Sequence, residues 1–323
     1  MKFNKDLSKY KHYRETIDIT LNSYYNFVCE YLNKIPNRYD EANRVLKIDV
    51  FECTECMNGI DISIPNAFAI YESNTDHIII SNDLIEKIEY VTFNTIEDNN
   101  KATTIIDTAL LFCAFHELGH LLIGHCQLKK SLSLNALYLP IIPSDELYDL
   151  YHLLEINADS FAAQRIVEKI CTNILNNNHT DVLGYVNPYS FIDDVICGIN
   201  IFFTIIGYLN TDYLYRTDPN DYSRTFNIDK KFGSHPPSIV RNYAVLKAFA
   251  RHIKLFIDYD LDIKEIITSR MENFGIRYTS EEKEYIYSSI YDGTYDRLIN
   301  EFEAQFMLRG FLYLNKFSRI PIL

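Results

Sequence analysis

The sequence predicts an α+β fold that is predominantly helical, with a small β-sheet near the N-terminus. Three short segments before residue 82 alternate in polarity and are rich in β-branched side chains, which is typical of strands. Most of the remaining chain, 323 residues in all, shows helical periodicity or long apolar runs. No stretch has the composition of a linker, and 47% of the residues are hydrophobic. One compact unit with a sizeable core is therefore expected.

The N-terminal part is expected to contain one helix, three strands and a second helix. Residues 15–34 carry apolar side chains at helical spacing, and Pro36 follows, which predicts that the helix ends before it. A cap-forming Asn-Asp pair opens NDLIEKIEYVTF, which predicts a helix from residue 82. The three predicted strands are 44–53, 66–72 and 76–81.

Helices dominate after a polar break at 94–104. Residues 103–126 are apolar on nearly all sides, which predicts a long buried helix. A polar, proline-containing stretch at 127–145 is expected to link it to the next helix. The later predicted segments are helices over 145–176, 190–210 and 280–290, with a long connection at 211–237.

Three regions are expected within the single unit. Residues 1–100 hold the first helix and the sheet, and 101–212 hold the buried helices. Residues 213–323 hold the long connection and the C-terminal helices.

Charge and cysteine usage limit the classes of partner and compartment. The net charge of −13 disfavours nucleic acid and anionic membranes as main partners. The odd number of cysteines, seven, is typical of reduced intracellular proteins. The first residues, MKFNKDLSKYKHYRE, lack the apolar core of a secretory signal. The longest apolar run, 195–209, is shorter than the roughly 20 residues of a membrane span. A soluble, cytoplasmic protein is expected.

HELGH, residues 116–120, predicts a metal site. On a helix His116 and His120 lie one turn apart on the same face, so both imidazoles can bind one ion. Glu117 lies about 100° round the helix from His116, where it can act as a base beside the metal. Buried histidines also occur for packing, but unpaired imidazoles and a carboxylate on so apolar a helix would be costly. Zinc, one ion per chain, is the expected metal.

A second helix is expected to supply the third metal ligand. Glu155 and Asp159 are one turn apart in an apolar segment, so their carboxylates need partners. Glu155 is predicted to bind zinc, and Asp159 to accept the second ring proton of a zinc-bound histidine. Cys126 is a minor alternative ligand, whereas His125 lies about 140° from His120 on a continuous helix and is not expected to share the ion. Two solvated acids are the other reading of Glu155 and Asp159.

Four segments resemble the gluzincin metallopeptidases, especially the HtpX and CaaX-protease type. Taken in order, they are PNAFAIYESNTDHIIISNDLIEKI (65–88), HELGHLLIGH (116–125), EINAD (155–159) and HPPSIVR (235–241). They span about half of the chain, from residue 65 to residue 241. The resemblance implies a gluzincin-type fold, with an edge strand lining the cleft, active-site helices after it and a C-terminal helical part.

The resemblance also implies roles for individual residues. Asn66 and Ala67 would lie on the edge strand that pairs with an extended substrate. Glu117 would serve as base and then as proton donor, and His235 as a donor to the oxyanion of the tetrahedral intermediate. Arg241 would orient its own segment or bind substrate. His235 is also open to the reading of a turn histidine before a helix.

Two features depart from that family. Its membrane members carry clear spanning helices, which are not seen here. The usual Pro-Gly-Gly between the two strands is replaced by YESNTD, so the rim of the cleft is expected to differ. A soluble intracellular gluzincin is also similar to the Lit-type phage-exclusion proteases and, in ADSFAAQ, to the repressor-cleaving ImmA/IrrE type.

The expected function is that of a zinc-dependent endopeptidase acting on an intracellular protein. Its role would be regulatory, defensive or toxin-like, and an activating or inhibitory protein partner is compatible with it. The connection at 211–234 and the tail at 310–323 are candidate covers for the cleft, or else an ordinary loop and a packed terminus. The alternative is a non-catalytic zinc-binding sensor or scaffold. Cys53 and Cys56 are read as packed thiols rather than half of a second zinc site.

Overall fold

The computed structural model of the protein describes residues 10–35, 39–51, 67–135, 144–176, 188–217, 238–257, 260–273, 280–305, 314 and 317–320. Within these ranges the chain is mostly helical with one small mixed sheet, which confirms the predicted α+β class at this level. Buried apolar side chains form one continuous core that extends from Tyr10 to Leu314.

The sheet has the strand order β1–β3–β2. The strands are β1 (Val45–Phe51), β2 (Ala67–Tyr71) and β3 (Thr75–Ser81), each within two residues of its predicted bounds. The central strand β3 runs parallel to β1 and antiparallel to β2, with Ile78 opposite Ile48 and Ala69. Because β2 pairs only with β3 among the described strands, it lies at an edge, as predicted for the strand near Ala67.

Two longer helices and one short one accompany the sheet. The helix α1 (Lys11–Leu32) buries one stripe, spaced three or four residues apart, that faces β1 and the core; its members are Ile17, Leu21, Tyr25, Val28 and Leu32. The short α2 (Tyr39–Ala42) leads into β1. The helix α3 (Asn82–Thr95) begins where Ser81 Oγ accepts a hydrogen bond from the Leu84 N–H, so the N-cap is Ser81.

The central helix is α4 (Asn99–Leu122). It packs against α1, α3 and the sheet, and against the two long helices that begin at Ser144 and Pro188. Its N-cap Asp98 accepts from the N–H groups of Asn100 and Lys101, so the predicted polar break is shorter than expected. Every residue from Thr108 to Leu122 is buried. In the described part of the chain, α4 is the one helix long and apolar enough to cross a membrane, and 89% of that window is buried inside the protein.

The predicted helix over 103–126 is wrong at its C-terminal end. The helix α4 stops at Leu122, Gly124 takes a φ of 90°, and a separate helix α5 (His125–Asn135) follows. Part of the predicted polar connection at 127–145 is therefore helical. Periodicity missed the break because α4 and the first residues of α5, including His125 and Leu128, are buried, so the apolar pattern runs across the turn.

The remaining helices largely match the predicted order. They are α6 (Ser144–Asn176), α7 (Pro188–Thr217), α8 (Ser238–Ile257), α9 (Ile263–Asn273), α10 (Ser280–Tyr291) and α11 (Thr294–Gln305). Both α6 and α7 pack against α4, and α8 packs against α6 and α7. The helix α7 runs seven residues past its predicted end, and the rest of the predicted connection, 218–237, lies outside the described residues.

The described part of the C-terminal tail is packed into the protein. The Arg319 N–H donates to the Leu122 carbonyl at 2.7 Å, at the end of α4. The Arg319 side chain is 2% exposed and forms an ion pair with Asp76 of β3. Residues 317–320 therefore take the second of the two predicted alternatives, a packed terminus rather than a cover.

Candidate metal centre

The centre is built where α4 and α6 approach closely. Gly119 of α4 faces Ala158 of α6, and a Cβ at Gly119 would lie 3.3 Å from the Ala158 Cα and 3.1 Å from the Phe161 ring. The absence of a side chain lets the two helices lie this near. His116 and His120 on α4 consequently face Glu155 on α6.

Two imidazoles and one carboxylate converge in this contact. His116 Nε2 and His120 Nε2 are 3.0 Å apart. Glu155 Oε2 lies 3.2 Å from His116 Nε2, and Glu155 Oε1 lies 3.4 Å from His120 Nε2. All three side chains are buried, and together they form a group that could hold a metal ion.

The donor set fits a tetrahedral divalent cation. Bonds of about 2.0–2.1 Å at tetrahedral angles place neighbouring ligand atoms about 3.3 Å apart. The two imidazole nitrogens are 3.0 Å apart, and each has a different Glu155 oxygen nearby, at 3.2 Å for His116 and 3.4 Å for His120, so these distances are close to that spacing. Ring-nitrogen lone pairs and carboxylate oxygens this close repel one another unless a cation or a proton lies between them. Two nitrogens and one carboxylate are ligands that zinc accepts, although the geometry does not select zinc over similar ions.

The pKa values of the two histidines in this group are also consistent with a metal site. Burial alone would lower the pKa of His116, but the charge and hydrogen bond of Asp159 and the carboxylate of Glu155 raise it to about 9. Burial lowers the pKa of His120 to about 4. The carboxylates that favour a proton on His116 would favour a bound cation for the same reason, and a neutral His120 is the form that binds a metal.

Glu117 is placed beside the group without belonging to it. It is 9% exposed, and the side chains of His116 and Glu155 act on it electrostatically. Burial raises the pKa of Glu117 to about 6, against the opposing effect of His116. A carboxyl group with a pKa near neutrality can both accept and release a proton at physiological pH.

Asp159 contacts the His116 ring on the side away from Glu155, and Arg241 in turn binds Asp159. Asp159 Oδ1 lies 2.8 Å from His116 Nδ1, the ring nitrogen that points away from Glu155. Arg241 of α8 donates from Nε and Nη2 to the two oxygens of Asp159, at 2.7 and 2.8 Å. Burial would raise the pKa of Asp159, but Arg241 and His116 hold it below its ordinary value.

Arg241 is therefore assigned to orientation of the site. Its side chain is buried, and its guanidinium lies against Asp159 and, at 3.6 Å, Glu155. The alternative that we considered, binding of substrate by Arg241, finds no support in these contacts.

His125 contacts the predicted ligand His120 but is not itself a member of the ligand group. The turn at Gly124 brings His125 Nδ1 to 2.8 Å from His120 Nδ1, and His125 Nε2 lies 3.1 Å from Asn157 Oδ1. The prediction that His125 does not share the ion assumed one continuous helix, and that assumption is wrong, because α4 ends at Leu122 and the turn at Gly124 follows. Sequence reasoning missed the contact because the apolar pattern continues across the turn, although Gly124, a residue type common just after a helix end, was a signal of it.

Lys129 is a second residue near the site that the sequence did not point to. It lies four residues after His125 on α5, and its Nζ is 3.6 Å from Glu155 Oε1. Its side chain is 37% exposed, so a positive charge lies between the ligand group and solvent.

The remaining predicted site residues divide into two sets. Ala67 is described and lies on the edge strand β2, which packs against α4 and α5. Cys126 Sγ faces the Ala69 carbonyl at 3.7 Å and is not in the ligand group. Burial raises its pKa to about 12, which disfavours the thiolate that a metal would need. Asn66, His235, Cys53 and Cys56 lie outside the described residues.

Comparisons of the chain with known protein families, with curated proteins and with solved structures find no match. The resemblance to gluzincins therefore rests on the four short segments of this sequence.

Proposed function

We propose that the protein is a zinc-dependent endopeptidase that cleaves an intracellular protein substrate. The observation that carries this proposal is the convergence of His116, His120 and Glu155, whose ligand atoms lie 3.0–3.4 Å apart, with Glu117 buried beside them. A structural metal site does not need a buried carboxyl group next to its ligands, whereas a hydrolytic site does.

Each group has a task in the proposed reaction. His116, His120 and Glu155 would hold zinc, which would supply a Lewis acid for the scissile carbonyl and lower the pKa of water toward neutrality. Glu117 accepts the proton from the attacking water and passes it to the leaving amine. Asp159, itself held by Arg241, keeps the ring of His116 in the orientation that directs Nε2 at the metal.

The substrate is proposed to bind as an extended strand along β2. A strand at the edge of a sheet can add an extended peptide through main-chain hydrogen bonds, whatever the sequence of that peptide. Ala67 would belong to this binding edge together with Asn66, and His235 would donate to the oxyanion. A chain with these properties resembles a gluzincin in function as well as in motifs.

The direct test replaces Glu117 with Gln. The expected result is a protein that keeps one zinc ion per chain and loses cleavage by at least about 100-fold, because general acid–base catalysis contributes about 10²–10⁴-fold. Glu168→Gln is the matched control: it makes the same chemical change at a half-buried position on α6, more than three turns beyond Glu155, and should retain both properties.

Two measurements read out this test. Zinc content is measured on the purified proteins, and new protein termini are compared by proteomics in cells that express wild type or the Glu117→Gln form. Full cleavage by Glu117→Gln would show that the mechanism is wrong. Zinc binding with identical termini in the two cell lines would favour the non-catalytic scaffold.

A further inference from the structure

His120 Nδ1, the ring nitrogen that does not face the ligand group, begins a series of polar contacts through His125 to Asn157. His120 Nδ1 faces His125 Nδ1 at 2.8 Å, and the two ring centroids are 4.9 Å apart. His125 is fully buried at the start of α5, and its Nε2 faces Asn157 Oδ1 at 3.1 Å on α6. Three helices are thus joined by two hydrogen bonds that meet at His125.

The position of every proton in this chain follows from one condition. If His120 Nε2 binds the metal, its lone pair is in use, and the single proton of the neutral ring must lie on Nδ1. His120 Nδ1–H then donates to His125 Nδ1, which must accept. The proton of His125 therefore lies on Nε2 and is donated to Asn157 Oδ1. No other arrangement of neutral rings satisfies both contacts.

The two histidine ligands differ in what holds them. His116 is backed by the carboxylate of Asp159, whereas His120 is backed by a neutral ring and, beyond it, an amide. Partners of this kind fix the tautomer and the ring orientation of a ligand, and their loss typically costs about 10–100-fold in metal affinity.

We propose that His125 is a positioning residue that keeps the His120 ring in the Nδ1–H form with Nε2 directed at the metal, and that Asn157 fixes the proton of His125. This inference rests on the proposed metal site. The contact depends on the turn at Gly124, because on a continuous α4 helix the His125 ring could not reach His120.

The first test compares two substitutions of His125 by zinc affinity, measured on the full chain by competition with a chelator. His125→Phe keeps a ring but removes the acceptor, so zinc should bind about 10–100-fold more weakly. In His125→Asn the side-chain oxygen can take the place of Nδ1, so affinity should return to within a few-fold of wild type. Asn157→Leu should lie between them.

The second test needs no substitution. Nitrogen-15 NMR of the zinc-loaded wild-type protein reports which nitrogen of each histidine ring carries a proton. His125 should carry its proton on Nε2 and accept at Nδ1. A proton on His125 Nδ1 would leave the His120 Nδ1–H without an acceptor and would contradict the proposed role.

The outcomes separate this inference from the proposed function. Failure of wild type to bind zinc would overturn the metal site itself. Zinc binding by wild type together with unchanged affinity of His125→Phe, or with a proton on His125 Nδ1, would overturn the role of His125 alone. If His125→Phe does not fold, the NMR result on wild type decides.

Discussion

At the scale of single residues, the site depends on charges that are buried in pairs. Asp159 is fully buried, and Arg241 supplies the opposite charge through two hydrogen bonds. A pair of this kind adds little net stability over an apolar pair, but removal of one partner leaves an uncompensated charge in the interior. Arg241 is therefore expected to matter for folding and for the ligand shell at once.

Arg241→Gln tests this dependence. The metal-free protein should lose about 3–5 kcal/mol of unfolding free energy, because the buried Asp159 loses the guanidinium and its two hydrogen bonds and keeps His116 as its ionic partner. Arg251→Gln on the same helix is the control, since Arg251 is more than half exposed and its nearest carboxylate oxygen, on Glu303, is 3.8 Å away. The control should change stability by no more than about 0.5 kcal/mol. Equal urea midpoints for the two variants would contradict the account.

At the scale of elements, two glycines set how the helices meet. Gly119 allows α4 to approach α6 closely. Gly124 lies in the turn that ends α4, and the separate helix α5 begins at His125. A Cβ at Gly124 would lie 2.6 Å from the Phe317 carbonyl carbon, in addition to the strain of a φ of 90°. The turn, the tail and His125 therefore depend on the same residue.

Gly124→Ala is predicted to destabilise the protein more than Gly293→Ala. Both positions have positive φ, so each substitution costs about 1–2 kcal/mol in backbone strain. At Gly293 the nearest atom is the flexible end of Arg297 at 3.9 Å, whereas at Gly124 the tail backbone must move. Zinc affinity should fall in Gly124→Ala only. Equal losses of stability, with zinc affinity unchanged in both, would contradict this reading of the turn.

The sequence anticipated those parts of the site that local geometry decides. Residues four apart on a helix share a face, so HELGH and EINAD were enough to propose the ligands His116, His120 and Glu155. The ion pair between Arg241 and Asp159 joins α8 to α6 through residues far apart in sequence, so no local sequence pattern indicates it. The contact of His125 with His120 depends on a turn that lies within an apolar run. The parallel pairing of β1 with β3 is likewise a long-range choice that alternation alone cannot reveal.

At the scale of the whole molecule, a buried charge cluster joins the two ends of the chain. Asp76 of β3 is fully buried and accepts hydrogen bonds from Tyr25 of α1, from Arg44 and from Arg319 of the tail. Burial would raise the pKa of Asp76, but the hydrogen bonds and charges of the two arginines and the Tyr25 hydroxyl bring it below its ordinary value. The tail is thereby tied to the sheet and to the end of α4.

This cluster predicts how stability depends on pH. An aspartate whose pKa is lowered in the folded state stabilises the protein above its unfolded pKa of about 3.9, and this contribution is lost as the pH falls through the folded value. Asp76→Asn should therefore be less stable than wild type by a constant amount between about pH 5 and 7, and the difference should narrow below about pH 4.

Denaturant unfolding across this pH range checks the prediction. Asp260→Asn, at a largely exposed carboxylate that pairs with Lys254, should follow wild type at every pH. A difference between Asp76→Asn and wild type that does not change with pH would exclude a stabilising charge at Asp76.

The central claim is that His116, His120 and Glu155 bind one divalent metal ion, and anomalous diffraction at the zinc edge from crystals of the zinc-loaded protein tests it most directly. The account predicts a single strong peak at about 2.0–2.2 Å from His116 Nε2, His120 Nε2 and a Glu155 oxygen, with no sulfur ligand. Absence of a peak between these three side chains, or a peak bound elsewhere in the chain, would contradict it.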